Sequence, residues 1–312
     1  MNRPEPLGAP SVRAVRTRDG VRLALEERGP VGPDVVLLVH GFSQNHAAFA
    51  LGRLPDRLVE AGFRVALAEL RGHGRSERPH RWTLEDHLFR DLPALLGALE
   101  ADRIHYVGHS MGGMLGFASL GLDRGLASVT GLAAPLALGA GSPLVPLAAR
   151  VVKPVAARAR PARIPMDRLL GALAHPLGWE GAPLPVRVAQ RVLGLASPGS
   201  GDGARVRTVL GVSDPESPAV FAQFLGQCGG RTTRLCGVDL SAAVRGASVP
   251  VAAVVGSHDI FAPPRSVGPL TQPGHAGPRR VVVLQGAAHV DLTVGARVAA
   301  AVVGLRRFWE VA

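Results

Sequence analysis

The chain has 312 residues, enough for one large α/β domain of the open-sheet type with an insertion. Apolar residues make up 47% of it and charged residues 19%, so a sizeable hydrophobic core is available. The net charge of +11 would favour nucleic acid, but the arginines are spread along the chain and Tyr106 is its single tyrosine, so we predict no nucleic-acid partner.

The first third of the chain alternates short apolar runs with helical patterns. Residues 12–15 and 21–26 flank Asp19-Gly20 and predict a hairpin. The other predicted elements here are strands at 35–39, 65–68 and 104–107 and helices at 49–60, 84–99 and 111–122. This alternation predicts a mostly parallel sheet wrapped by helices.

Residues 133–240 differ in character, being rich in Pro, Gly, Ala and Arg, with short helical patterns and no buried strands. We interpret them as a cap or lid insertion, with 1–132 and 241–312 forming the core. Beyond the insertion, strands are predicted at 251–255 and 281–284 and a closing amphipathic helix at 290–310.

Two other stretches bear on cellular context. No charged residue lies between Arg124 and Arg150, but several prolines and glycines interrupt this stretch, so we predict a buried strand and an apolar linker, with no integral membrane span. Residues 1–10 are polar and rich in proline, which predicts no secretory signal and a cytoplasmic location. Cys228 and Cys236 are expected to be reduced thiols, although a disulfide between them stays open.

The strongest motif is Gly108-His109-Ser110-Met111-Gly112, between a predicted strand and a predicted helix. A serine in this position sits on a strained turn that only small neighbours permit, and glycines stand two residues to either side. We predict that Ser110 is a nucleophile whose hydroxyl projects into solvent above the sheet, with the helix N-terminus favouring developing negative charge.

A serine nucleophile needs a base, and the base needs an orienting acid. His289 follows the strand at 281–284 through a loop of small residues, so it is the predicted base, in preference to His258 and His275. Asp259 follows the strand at 251–255 and is the predicted acid, because catalytic groups gather at the carboxyl ends of such strands. Asp291 is the rival acid, with a first-turn helix role as the alternative.

The loop after the strand at 35–39 reads His40-Gly41-Phe42-Ser43-Gln44. The backbone N–H groups of Phe42 and Met111 are the predicted oxyanion donors, and His40 is expected to be structural. The segment from Arg71 to Ser76 carries two glycines and two arginines and predicts an ordered loop beside the site, with phosphate binding as the disfavoured alternative.

Together these motifs resemble the α/β-hydrolase superfamily, in its esterase, lipase and haloperoxidase-like branch. The matching segments are His40-Gly41-Phe42, Arg71-Gly72-His73-Gly74-Arg75-Ser76, Gly108-His109-Ser110-Met111-Gly112-Gly113, Gly256-Ser257-His258-Asp259 and Ala288-His289. The resemblance implies a mostly parallel eight-stranded sheet flanked by helices, with a helical cap over the nucleophile. Haloalkane dehalogenases and epoxide hydrolases of this superfamily carry an aspartate where this chain has Ser110, so both activities are disfavoured.

The predicted function is hydrolysis of a carboxylic ester of a small or lipid-like hydrophobic molecule, without metal or organic cofactor. Acyl transfer, haloperoxidase-type perhydrolysis and non-catalytic ligand binding remain as alternatives. Apolar side chains of the insertion suit a hydrophobic substrate or simply pack the cap; they are Leu169, Leu170, Leu173, Leu177, Trp179, Phe221 and Phe224. The basic side chains of the insertion either form a solvated face or attract an anionic substrate or a lipid surface. They are Arg150, Lys153, Arg158, Arg160, Arg163 and Arg168.

Overall fold

The computed structural model describes residues 10–138, 163–168, 208–227 and 233–310. Eight strands of this part form one sheet in the order β1-β2-β4-β3-β5-β6-β9-β10. They are β1 (Ser11–Arg16), β2 (Arg22–Arg28), β3 (Asp34–Val39), β4 (Arg64–Glu69), β5 (Arg103–His109), β6 (Ser128–Leu132), β9 (Val251–Gly256) and β10 (Arg279–Leu284). Only the pairings of β1 with β2 and of β2 with β4 are antiparallel, which confirms the predicted eight-stranded, mostly parallel sheet.

Helices cover both faces of this sheet. They are α1 (Ala47–Leu51), α2 (Leu54–Glu60), α3 (Leu84–Asp86), α4 (Leu92–Ala98), α5 (Met111–Leu120), α6 (Pro218–Gly226), α7 (Leu240–Gly246), α8 (Asp291–Val294), α9 (Ala296–Val303) and α10 (Arg306–Trp309). A π-helical turn, His87–Asp91, joins α3 to α4, and a 3-10 helix spans Pro264–Thr271.

The central strands are apolar on both faces, because each face is covered by helices. Along β3, Leu37 and Val39 pack into one hydrophobic cluster, whereas Val36 and Leu38 pack into the cluster on the opposite face. This alternation follows from the two-residue repeat of a strand. It explains why β3 reads as a continuous apolar run with no polar face.

Three predictions of local structure are wrong in detail. The helix predicted at 49–60 is two helices, since Arg53 adopts a left-handed backbone with φ of 56°. The closing helix predicted at 290–310 is α8, α9 and α10, separated at Gly295 and after Gly304. The predicted insertion also contains a short hairpin, β7 (Arg234–Leu235) and β8 (Val238–Asp239), with Leu235 buried.

Within the described residues, no helix combines the length and apolar character that a membrane crossing requires. The uncharged stretch between Arg124 and Arg150 does contain the predicted buried strand, β6. The predicted linker beyond residue 138 lies outside the described residues, as does most of the predicted insertion. Cys228 also lies outside the described residues. Cys236 is a free thiol, and burial raises its pKa to about 12.

Candidate active site

Ser110 lies at the sharp turn between β5 and α5. Its backbone has φ of 50° and ψ of −117°, a conformation that a residue with a side chain rarely adopts. The flanking glycines are required by space: a Cβ on Gly108 would lie 2.4 Å from the carbonyl carbon of Gly112, and a Cβ on Gly112 2.4 Å from the carbonyl oxygen of His40. The expectation that Ser110 projects into solvent is wrong, since the residue is only 6% exposed.

The structure brings Ser110, His289 and Asp259 together in one hydrogen-bonded chain. Nε2 of His289 is 3.0 Å from Oγ of Ser110, and Nδ1 of His289 is 2.9 Å from Oδ2 of Asp259. Serine and histidine are 179 positions apart in sequence. The fold joins them because β5, β9 and β10 are parallel and end at the same edge of the sheet.

Asp259 is buried, and its two oxygens have separate partners. Oδ1 accepts hydrogen bonds from the backbone N–H groups of Phe261 and Ala262, each at 2.9 Å. Oδ2 is thereby left to face His289. Because Oδ1 is held by the backbone of its own loop, the carboxylate cannot rotate without breaking two hydrogen bonds.

The rival residues lie elsewhere. Oδ2 of Asp291 accepts a hydrogen bond from the N–H of Ala288 at 2.8 Å, which fits the alternative role at the start of α8. His275 contacts the carbonyl oxygen of Pro269 at 2.9 Å. The His258 side chain is exposed at the surface.

The loop after β3 is held in place by His40. Its Nδ1 donates to the carbonyl oxygen of Gly41 at 2.9 Å, and its Nε2 accepts from the N–H of Leu70 at 3.1 Å. These partners require a neutral ring, and burial lowers the pKa of His40 to about 3. His40 therefore has the structural role that was expected.

The N–H of Phe42, in the loop after β3, and the N–H of Met111, directly after Ser110, donate no hydrogen bond to any other described residue. By contrast, the neighbouring N–H groups are used: Gly41 donates to Oε1 of Gln44 at 3.1 Å, and Ser43 donates to Oε2 of Glu216 at 3.1 Å. Backbone N–H groups without a protein partner remain available to a ligand, so both predicted donors stay candidates for oxyanion stabilisation.

Two further residues of the site were not singled out from the sequence, His109 and Gln44. Nδ1 of His109 is 2.8 Å from Oε1 of Gln44, and its Nε2 is 3.1 Å from the carbonyl oxygen of His289. Burial, and then the charge of His289, lower the pKa of His109 well below its ordinary value. The only signal in the sequence was their position inside two motifs that were already recognised.

The loop from Arg71 to Ser76 is ordered by ion pairs. Arg71 is 2% exposed and contacts Asp91 at 2.8 Å and Asp19 at 2.7 Å. Arg75 contacts Glu69 at 3.1 Å and Glu26 at 2.9 Å. Both guanidinium groups are thus neutralised by carboxylates, which disfavours the phosphate alternative. Among the described residues, no group of three or more His, Cys, Asp or Glu side chains has a metal-binding arrangement.

Comparison with known proteins finds relatives of the alpha/beta hydrolase fold. The sequence model of the alpha/beta hydrolase fold family matches residues 34–160. Epoxide hydrolase A of Mycobacterium tuberculosis is 37% identical over 133 residues, which cover 41% of this chain and 40% of that protein. The AB hydrolase superfamily protein YisY of Bacillus subtilis is 32% identical over 103 residues, covering 32% and 36%. The matched segments thus span about two fifths of these relatives' length.

Solved structures match over nearly the whole chain. A thermophilic esterase from Thermogutta terrifontis has a TM-score of 0.65 at 22% identity, covering 96% of this chain and 100% of that one. A carboxylesterase structure from Nitrososphaera gargenis has a TM-score of 0.68 at 19% identity, covering 96% and 99%. At this identity the likeness shows the fold alone, and it confirms the predicted α/β-hydrolase fold.

Proposed function

This chain is an α/β-hydrolase-fold protein with esterase and epoxide hydrolase relatives, and from that premise we propose that it is a serine hydrolase cleaving carboxylic esters. Ser110 is the proposed nucleophile, His289 the general base and Asp259 the acid that orients it. The observation that carries the proposal is the continuous contact from Ser110 through His289 to Asp259, at 3.0 Å and 2.9 Å. Both distances are within hydrogen-bond reach, as proton transfer requires.

In the proposed mechanism, Oγ of Ser110 attacks the ester carbonyl while Nε2 of His289 takes the hydroxyl proton. Asp259 keeps the proton of the neutral ring on Nδ1, so that the lone pair of Nε2 faces the serine. The carbonyl oxygen becomes an oxyanion that accepts from the N–H groups of Phe42 and Met111. His289 then protonates the leaving alcohol, and a water activated by the same histidine hydrolyses the acyl-enzyme.

A hydrophobic substrate is supported by an aromatic wall beside the proposed oxyanion donor. The ring of Phe42 lies 5.7 Å from that of Phe221 and 5.8 Å from that of Phe224, both on α6. All three rings are only partly buried. An apolar acyl chain or alcohol that covers them would gain about 25 cal/mol per Å² of apolar surface removed from water.

The proposal extends to the organisation of the chain, with residues 133–240 as a cap over a core of 1–132 and 241–312. Of the insertion's apolar side chains considered above, Phe221 and Phe224 are within the described residues; Leu169, Leu170, Leu173, Leu177 and Trp179 lie outside them. We keep the cytoplasm as the proposed location and a small-molecule ester as the proposed partner.

An epoxide hydrolase is disfavoured although relatives of this chain carry that name. That activity proceeds through a carboxylate nucleophile in this superfamily, and a serine stands at the corresponding place here. Acyl transfer and perhydrolysis use the same three residues, so they differ from hydrolysis only in what attacks the acyl-enzyme.

Labelling with a fluorophosphonate, together with hydrolysis of p-nitrophenyl esters of increasing chain length, tests the proposal. We expect covalent labelling of the wild type and none of the Ser110→Ala variant, with ester turnover lost in parallel. The variant Ser119→Ala is a control, because Ser119 is a buried serine of α5, the helix that follows Ser110, and donates to the carbonyl oxygen of Leu115. Undiminished labelling of Ser110→Ala would exclude Ser110 as the nucleophile, and no turnover of any ester by the wild type would favour a ligand-binding protein.

A further inference from the structure

A short segment of the predicted insertion, Asp214–Ser217, packs against the loop that carries Phe42. Ser43 and Asp214 form two hydrogen bonds with each other. The N–H of Asp214 donates to the carbonyl oxygen of Ser43 at 2.8 Å, and the side-chain Oγ of Ser43 donates to the carbonyl oxygen of Asp214 at 2.8 Å. The N–H of Ser43 donates to Oε2 of Glu216 at 3.1 Å. Ser43 has a φ of 59°, so these three hydrogen bonds stabilise a left-handed backbone that is otherwise unfavourable.

Glu216 is completely buried, and each of its oxygens accepts two hydrogen bonds. Besides Ser43, Oε2 faces Nε2 of His73 at 3.3 Å; Oε1 accepts from Nε1 of Trp82 at 3.2 Å and from the N–H of Ser217 at 2.8 Å. Burial alone would raise the pKa of Glu216, but the charge of His73 and its hydrogen bond outweigh burial and lower it. A buried carboxylate is strongly unfavourable without such partners.

The backbone around Glu216 is fixed as well. Glu216 and Ile164 form an antiparallel bridge, with N–H to carbonyl distances of 2.9 Å and 2.7 Å. Oδ2 of Asp214 accepts from Nδ2 of Asn45 and from the N–H of Gly74, each at 2.8 Å. The segment therefore binds the loop of Phe42 and the loop of His73 at once, and Glu216 cannot follow a movement of Ser43 without breaking these contacts.

The contact between Ser43 and Glu216 helps to fix the backbone on either side of the Phe42 N–H. Along the chain, Gly41 N–H is held by Gln44, Phe42 N–H has no partner among the described residues, and Ser43 N–H is held by Glu216. The peptide groups before and after the one that carries the Phe42 N–H are thus anchored, and of these three N–H groups only that of Phe42 is left for a ligand. A donor improves catalysis only if it already points at the developing charge.

We propose that Glu216 is a positioning residue that aims the N–H of Phe42 at the oxyanion, so that the insertion supplies part of the active-site framework. This inference rests on the proposed function. Glu216 acts through Ser43 and touches no reacting atom.

Variants Glu216→Gln and Glu216→Ala test it, with kcat and KM measured on a p-nitrophenyl ester. In Glu216→Gln, an N–H₂ group that cannot accept a hydrogen bond replaces one oxygen, so we expect kcat to fall about 10-fold. In Glu216→Ala we expect kcat to fall about 100-fold. Both decreases are smaller than or similar to the decrease in kcat caused by losing one oxyanion donor. KM should change less than about twofold, because the lost interaction exists mainly in the transition state. The matched control is Glu26→Gln, a buried carboxylate on β2 that is ion-paired with Arg28 and Arg75 and forms no hydrogen bond or ion pair with the described loop of Phe42.

A second measurement separates positioning from general damage. An arylboronic acid forms a tetrahedral adduct on a serine and needs the oxyanion donors, whereas the carboxylic acid product does not. In Glu216→Gln, boronate affinity should fall by the same factor as kcat/KM while product affinity stays within about twofold of the wild type. In Glu26→Gln, both affinities should stay unchanged even if thermal stability falls.

Unchanged kcat and boronate affinity in folded Glu216→Gln would overturn the inference, as would an effect confined to KM or to thermal stability. If Glu216→Gln does not fold, Glu216→Asp is measured in its place, and wild-type kcat and boronate affinity in that variant would equally overturn it. Failure of the proposed function looks different: the wild type itself would then show no hydrolysis that depends on Ser110, and both proposals would fall.

Discussion

The imidazole of His109 lies against that of His289, with ring centroids 5.0 Å apart and Nε2 of His109 3.1 Å from the carbonyl oxygen of His289. The other ring nitrogen faces Oε1 of Gln44. Both nitrogens therefore face carbonyl oxygens, but a neutral imidazole carries one N–H and donates to one of them at a time. His109 links the loop of the proposed base to the loop of the proposed oxyanion donor.

Replacing His109 with alanine should therefore disturb both loops. We expect kcat of His109→Ala to fall about 10- to 100-fold, because small displacements of reacting groups are costly. The free energy of unfolding should fall by about 2 kcal/mol from the lost hydrogen bond and the cavity. His105→Ala is the control, since His105 is a buried histidine of the same strand that contacts Ser128 and stacks on Trp309. It should lose similar stability and keep kcat; equal kcat losses in both variants would contradict the linking role.

The choice of acid can be tested with two matched amides. In Asp259→Asn, the side-chain oxygen keeps the N–H groups of Phe261 and Ala262, so the N–H₂ group faces Nδ1 of His289. The ring then carries its proton on Nε2 and cannot accept the serine proton, and kcat should fall about 10⁴-fold. Asp291→Asn should reduce kcat less than about 10-fold, since its role is local to α8. The reverse order of effects would make Asp291 the acid.

The space around the serine turn predicts that Gly112 tolerates no side chain. A Cβ there would lie 2.4 Å from the carbonyl oxygens of His40 and Val39, which are backbone atoms of a central strand and its loop. Gly112→Ala should lower the free energy of unfolding by about 3 kcal/mol or prevent folding. Gly97→Ala is the control, because Gly97 is an exposed helical position with nothing within 4 Å of its Cβ, and it should gain about 0.5–1 kcal/mol. Denaturant titration measures both.

Acid stability should depend on His40. Its pKa is lowered by burial from the ordinary 6.5 to about 3, so between these pH values the unfolded chain binds a proton there that the folded chain does not. The contribution of His40 is present above pH 6.5 and is lost as the pH falls toward 3, by up to about 1.4 kcal/mol per pH unit. The stability difference between wild type and His40→Asn should thus be larger at pH 7 than at pH 4. A difference independent of pH would contradict a neutral buried His40.

Much of the fold follows from local patterns. The apolar run of β3, the glycines around Ser110 and the small residues before His289 each express a requirement of nearby backbone, so the strands and the turn could be predicted and candidate site residues proposed. The breaks at Arg53 and Gly295 were missed, because a helical pattern continued through both positions while the chain turned to cover the sheet.

The sequence by itself determined the order of the candidate residues along the chain. A serine lies on a strained turn, and an aspartate and a histidine follow later strands of the same mostly parallel sheet. Only the tertiary structure decided that Ser110 is buried, that His109 lies on His289 and that Glu216 holds Ser43 across 173 positions. The physical reason is that periodicity and turn geometry act over a few residues. A buried carboxylate and the N–H it accepts from leave no local pattern, since their contact exists only after the segment of Glu216 has packed against the loop of Ser43.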